Sequence, residues 1–103
     1  MKTKKAILYK QIGAKIAYYR KMRDLTQEAL AEKIHISRSS IGRIERGKYN
    51  HNISLSLLMD IADGLGIELS MLVRFDEQEN KIWWSLSEAT IKEEYSEEKK
   101  DFC

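Results

Sequence analysis

The stretch from Thr26 to Arg46 leaves this chain few ways to fold. Counted from Gln27, apolar residues fall at Leu30, Ile34, Ile36, Ile41 and Ile44, with the small Ala31 beside the first of them. Leu30 and Ile34 share one face of a helix, and Ile41 and Ile44 share one face of another. Between the two, His35-Ile36 has room only for a tight turn, and Ile36 gives that turn an apolar plug. Ala31 lets the second helix cross close over the first. Two short helices packed at a steep angle satisfy all of these positions together. Thr26 and Ser37 stand where helix N-caps are needed, and Gly47 suits the left-handed residue that ends the second helix. The pattern predicts helices over 27–34 and 38–46, a helix-turn-helix.

The flanking sequence supplies further helices for this pair to pack against. Ile7, Leu8, Ile12, Ile16 and Tyr19 recur at helical spacing, predicting a first helix over about 4–23 with Asp24-Leu25 as its turn. After a polar loop interrupted by Tyr49 and Ile53, Ser54 caps a fourth helix over about 55–64, carrying Leu55, Leu58, Met59 and Ala62. A short fifth helix over about 69–74 contributes Leu69, Leu72 and Val73, with Glu68 in the cap position. Beyond Phe75 the character changes. Asp76–Asn80 is expected to be a polar linker or turn, Lys81–Leu86 is apolar and aromatic, and Ser85 or Ser87 is expected to cap an acidic helix running to about Glu98. The expected organisation is an all-α, five-helix domain over 1–75 and a short acidic C-terminal extension over 76–103, a candidate dimerisation or partner-binding segment.

Charge separates the two halves of the chain. Residues 1–53 carry 13 Lys and Arg against 4 Asp and Glu, whereas residues 54–103 carry 5 against 12. A basic half favours a polyanionic partner. The positions of the second motif helix that face away from its apolar side are Arg38, Ser39, Gly42, Arg43 and Arg46. Such a face suits a DNA major groove, because Arg presents a fork to guanine O6 and N7 and Ser donates or accepts. Gly42 is expected on the exposed face, where a bare backbone would let the helix approach the base edges. Arg46, last in the helix, is better placed for a phosphate.

The run LTQEALAEKIHISRSSIGRIERGKYN resembles the phage-repressor/Cro (XRE) family of helix-turn-helix regulators, and SLSLLMDIADGLGIELSMLV is similar to the family's fourth and fifth helices. The resemblance spans about residues 10–74 and implies a repressor-like DNA-binding domain. It places Gln27 on a DNA phosphate, bracing the start of the recognition helix. It places Ser37, Arg38, Ser39 and Arg43 at bases or nearby phosphates, with Arg38, Ser39 and Arg43 as the base readers and Ser37 on the backbone. Lys48 and Asn50 match backbone-contacting positions, and Arg20 and Glu45 match a structural ion pair between the first and third helices. Three positions depart from the pattern. His35 stands where Gly is common, the loop 50–53 is longer and lacks the usual Pro, and Glu68 replaces a Ser or Thr cap.

The implied function is a transcriptional regulator, a repressor that binds double-stranded DNA at a palindromic operator as a homodimer. The alternative is a DNA-binding antitoxin or protein-interaction module whose segment around Trp83 and Trp84 docks on a partner protein. For the two tryptophans themselves, packing back onto their own domain and a dimer interface are equal readings. Tyr18 and Tyr49 are expected to pack, and the acidic run 93–98 is expected to be a solvated face or to fold over the basic one. His35 and His51 have no metal-ligating neighbours in sequence, and the lone Cys103 offers neither a disulfide nor a CxxC site. No metal, cofactor or catalytic residue set is expected, so the chain is not read as an enzyme. The apolar run 6–9 is too short for a signal peptide, no stretch reaches transmembrane length, and a cytoplasmic location with no membrane association is expected.

Overall fold

The computed structural model describes residues 2–49 and 53–85. Five helices follow in order: α1 (Lys2–Met22), α2 (Gln27–Ile34), α3 (Arg38–Glu45), α4 (Leu55–Leu65) and α5 (Ser70–Val73). A sixth, α6, covers residues 77–85. There is no strand among the described residues.

The helices enclose one core. Ile12 and Ile16 come from α1, Leu30 and Ala31 from α2, Ile41 and Ile44 from α3, four residues of α4 (Leu58, Ile61, Ala62 and Leu65), and Leu72 from α5. Leu25, Ile34, Ile36, Tyr49 and Ile53 pack around it, partly buried. Fully burying a Leu or Ile side chain is worth about 1.5–3 kcal/mol, so these residues dominate the stability of so small a domain. α1 crosses α3 at Gly13, where an added Cβ would overlap the carbonyl oxygens of Ile44 and Glu45. That contact joins residues far apart in sequence, and helical periodicity alone does not show it.

The helix ends follow from local chemistry. The Thr26 hydroxyl accepts from Ala29 N at 3.0 Å, the Ser37 hydroxyl from Ser40 N at 3.1 Å, and the Ser54 hydroxyl from Leu57 N at 3.0 Å. Among the described residues four turns use left-handed residues: Asp24 at φ 56°, His35 at φ 60°, Gly47 at φ 72° and Gly66 at φ 68°. His35 ends α2, and the following Ile36 N–H reaches back to the Ala31 carbonyl at 3.0 Å. Gly47 ends α3, with Lys48 N donating to the Arg43 carbonyl at 2.8 Å. α5 is a single turn and has no side-chain cap. Glu68 serves it through its carbonyl, which accepts from Met71 N at 3.0 Å.

The segment after Phe75 differs from the sequence expectation. The polar stretch is not a linker but the start of α6. Glu79 N donates to Asp76 Oδ1 at 2.7 Å, and Asp76 N donates back to Glu79 Oε1 at 3.4 Å. Asp-Glu-Gln-Glu is therefore a capping box, in which two orphan donors are satisfied reciprocally. Ser85 is the last described residue of this helix, and Ser87 with the acidic helix expected after it lies outside the described residues. α6 returns to α1: the buried Gln11 donates from Nε2 to Asn80 Oδ1 at 2.9 Å, and Lys15 pairs with Glu79 at 2.9 Å. The same Lys15 ammonium lies 5.5 Å from the centre of the Phe75 ring. Trp83 is half-buried along a groove of about 410 Å³ lined also by Ala14, Tyr18 and Tyr19, whereas Trp84 and Ile82 are exposed. Tyr18, expected to pack, is 58% exposed and stands T-shaped to Tyr19, with ring centroids 5.2 Å apart. The acidic run 93–98, His51 and Cys103 lie outside the described residues.

Candidate nucleic-acid interface

α3 is pinned from beneath and open above. Ile41 and Ile44 are fully buried against the core, which fixes the rotation of the helix about its axis. Arg38, Ser39, Arg43 and Arg46 are then turned outward and exposed, and Lys48 is exposed just beyond the helix end. None of the four cations Arg38, Arg43, Arg46 and Lys48 pairs with a carboxylate among the described residues. Arg43 Nη2 makes one long contact, 3.4 Å to the Ser40 hydroxyl. A surface of unpaired guanidinium groups on a rigid helix is a strong attractor for phosphate and for base edges.

The reading face is a shallow depression of about 590 Å³ lined by Gln27, Arg38, Ser39, Gly42, Arg43 and Arg46. Ser37 lies at its N-terminal rim. Its oxygen is 3.1 Å from Ser39 Oγ and 2.8 Å from Ser40 Oγ, so the hydroxyl that caps α3 belongs to a small network of three serines. A DNA phosphate can only accept, so it would take the Ser37 O–H as donor while the Ser37 oxygen goes on accepting from Ser40 N.

Behind the depression lies a buttress. Glu45 Oε2 accepts from Arg20 Nε at 2.7 Å, and Glu45 Oε1 accepts from Arg20 Nη2 at 3.1 Å and from Gln27 Nε2 at 3.0 Å. Arg20 Nη1 completes the set by donating to the Leu25 carbonyl at 2.7 Å. The side chains of Arg20 and Glu45 are only 10% and 7% exposed. A fork-to-carboxylate bond this well buried adds little net stability over an apolar pair, but it fixes geometry, and losing one partner strands a charge. Here it ties α1, the turn after it, α2 and α3 into one unit. Gln27 therefore braces the C-terminal end of α3 through Glu45, whereas the sequence reading has it bracing the start of that helix.

Gly42 also departs from its expected place. It is buried: the Arg46 side chain folds back over it, and the Gln27 amide oxygen lies nearby. Asn50 is outside the described residues. The described residues contain no group of three or more His, Cys, Asp or Glu placed to hold a metal ion, and no helix long and apolar enough to cross a membrane.

Comparison with known proteins agrees with this geometry. A helix-turn-helix family model (HTH_3) matches residues 16–72, more than half of the chain. The immunity repressor protein of Bacillus phage phi105 is 48% identical over 62 residues, covering 60% of this chain and 42% of that repressor. The chain thus spans less than half the length of this relative. The uncharacterized HTH-type transcriptional regulator MJ0272 of Methanocaldococcus jannaschii is 40% identical over 65 residues, covering 63% of this chain and 96% of that protein. Among solved structures, the restriction-modification controller protein C.AhdI from Aeromonas hydrophila superposes with a TM-score of 0.58 at 33% identity, over 62% of this chain and 94% of that one. The chain belongs to the HTH_3 helix-turn-helix family of phage-repressor (XRE) type, a family of DNA-binding transcription regulators.

Proposed function

We propose that this chain is a transcriptional repressor that binds a palindromic operator as a homodimer, laying α3 in the major groove. The observation that carries this reading is the exposed face of α3, whose arginines have no carboxylate partner among the described residues while the helix beneath them is locked by Glu45 and Arg20. In this reading Arg38, Ser39 and Arg43 meet base edges. Gln27, Ser37 and Lys48 hold phosphates, with Asn50 expected beside Lys48. Two-fold symmetry of the protein would match half-sites spaced about one helical turn apart. The similarity to a phage immunity repressor supports repression over activation.

Base readers and phosphate clamps separate by experiment. Arg38→Ala and Arg43→Ala should each lose about 1–3 kcal/mol of discrimination at one base pair. Lys48→Ala should weaken all duplexes to the same degree and reduce the salt slope by about one. Binding isotherms against a panel of single base-pair operator variants distinguish the two behaviours. Identical profiles for all three variants would refute the assignment.

A further inference from the structure

We propose that Arg46 reads a base pair, and that Gly42 is the seat that brings it there. Arg46 is the cap residue at the end of α3, a position that by itself suggests a phosphate contact. Its side chain, however, runs back toward the helix N-terminus, the direction in which long helical side chains point. It comes to rest over Gly42, four residues earlier. A Cβ on Gly42 would stand 3.2 Å from Arg46 Nη1 and 3.9 Å from Arg46 Cζ. The guanidinium thus rests close enough that even an alanine Cβ at this position would press it aside by a few tenths of an ångström, and a larger side chain by more. Four residues of helical rise move the charge about 6 Å from the helix end toward the middle of the reading face. There it shares the depression with Arg38, Ser39 and Arg43.

Two further observations converge on the same spot. Gly42 is buried although it lies on the outward side of α3, which requires a cover, and that cover is the Arg46 side chain. The Gln27 amide oxygen lies 3.9 Å from the same Cβ position, while one N–H of the Gln27 amide goes to Glu45 and the other is left for a phosphate. The Gln27 acceptor and the Arg46 guanidinium therefore both border the Gly42 position. A guanidinium fork at this place on the reading face can meet the O6 and N7 acceptors of a guanine in a major groove. Glycine in a helix interior is otherwise unfavourable by about 1 kcal/mol relative to alanine, so a role in seating Arg46 gives this residue a physical reason to be there.

The proposal rests on the reading of α3 as the DNA-binding face, and its test keeps the two apart. The full chain is titrated with its selected operator and with single base-pair variants of it, using Arg46→Ala, Gly42→Ala, Gly42→Val and the double variants with Arg46→Ala. Arg46→Ala should lose about ten- to a hundredfold of discrimination at one base pair and little at the others. Gly42→Ala displaces only the end of a flexible side chain, so it should melt no lower than the parent while losing discrimination at that same base pair. Gly42→Val should lose more there. In the Arg46→Ala background neither Gly42 substitution should remove any further discrimination. Uniform weakening of every duplex by Arg46→Ala, with the salt slope reduced by about one, would make Arg46 a phosphate contact and overturn the proposal. So would full discrimination in both Gly42 variants. If Arg38→Ala and Arg43→Ala left operator binding unchanged, the DNA-binding face itself would be wrong, a failure separate from that of Arg46.

Discussion

Gly13→Ala sets two effects of opposite sign against each other. In a helix interior, alanine is favoured over glycine by about 1 kcal/mol, so propensity alone predicts a more stable protein. The structure predicts the reverse. An added Cβ at residue 13 would lie 2.5 Å from the Glu45 carbonyl oxygen and 2.8 Å from its carbonyl carbon, and would overlap the Ile44 oxygen as well. These are backbone atoms at the end of a helix and cannot rotate away. Relief requires α1 and α3 to part by roughly 0.5–1 Å, a gap that forfeits a quarter to a half of each dispersion contact across it. The residues facing that gap, Ile12, Ile16, Ile41 and Ile44, are among the most buried in the molecule. Overpacking of this kind costs about 1–3 kcal/mol, and a backbone obstacle belongs at the upper end. After subtracting the propensity gain, the net loss is about 2 kcal/mol. For a domain of this size that lowers the melting temperature by roughly 8–16 °C. Thermal unfolding followed by far-ultraviolet circular dichroism measures it directly. A melting temperature equal to or above that of the parent would show that α1 and α3 do not approach as described.

The remaining predictions concern the buttress, the turns and α6. Arg20→Ala leaves the Glu45 carboxylate buried beside a single neutral donor and should cost about 3–5 kcal/mol in urea denaturation, whereas a loss below 1 kcal/mol would mean the pair is solvated. His35→Gly removes the strain of a left-handed non-glycine residue, about 1–2 kcal/mol, at an entropic cost of about 0.5–1 kcal/mol, so stability should rise by up to ~1 kcal/mol. A fall would mean that the His35 side chain contributes more than its backbone costs. Asp76→Ala should cost about 1 kcal/mol through loss of the cap. In a Trp84→Phe background it should also shift Trp83 emission to the red as α6 frays from α1, and unchanged emission would refute the link between the cap and Trp83 burial.

The motif was legible in the sequence because its constraints are local. Thr26 and Ser37 cap their own helices, and the spacing of Leu30, Ile34, Ile41 and Ile44 sets which faces are buried. That same spacing turns Arg38, Ser39 and Arg43 outward, so the candidate reading face follows from period alone. The start of α6 had a signal too, the Asp76-to-Glu79 capping box, but six consecutive polar residues, 76–81, read as a linker or turn when no apolar period follows at once. Gly13 carried no local signal at all, since its reason for being glycine lies at Ile44 and Glu45, on another helix. Gly42 fell on the outward face, as its position requires. Its burial depends on the path of the Arg46 side chain, which periodicity does not specify. For the same reason Gln27 was legible as a brace, but its partner Glu45 was not.

Selection of bound sequences from a random duplex pool by the full chain tests the central claim most directly. The account predicts enrichment of an inverted repeat with half-sites about one helical turn apart. Repeating the selection with Arg38→Ala and with Arg43→Ala should relax different base pairs within each half-site. Recovery of no consensus, or of one that both variants select unchanged, would contradict the reading of α3 as the helix that recognises DNA.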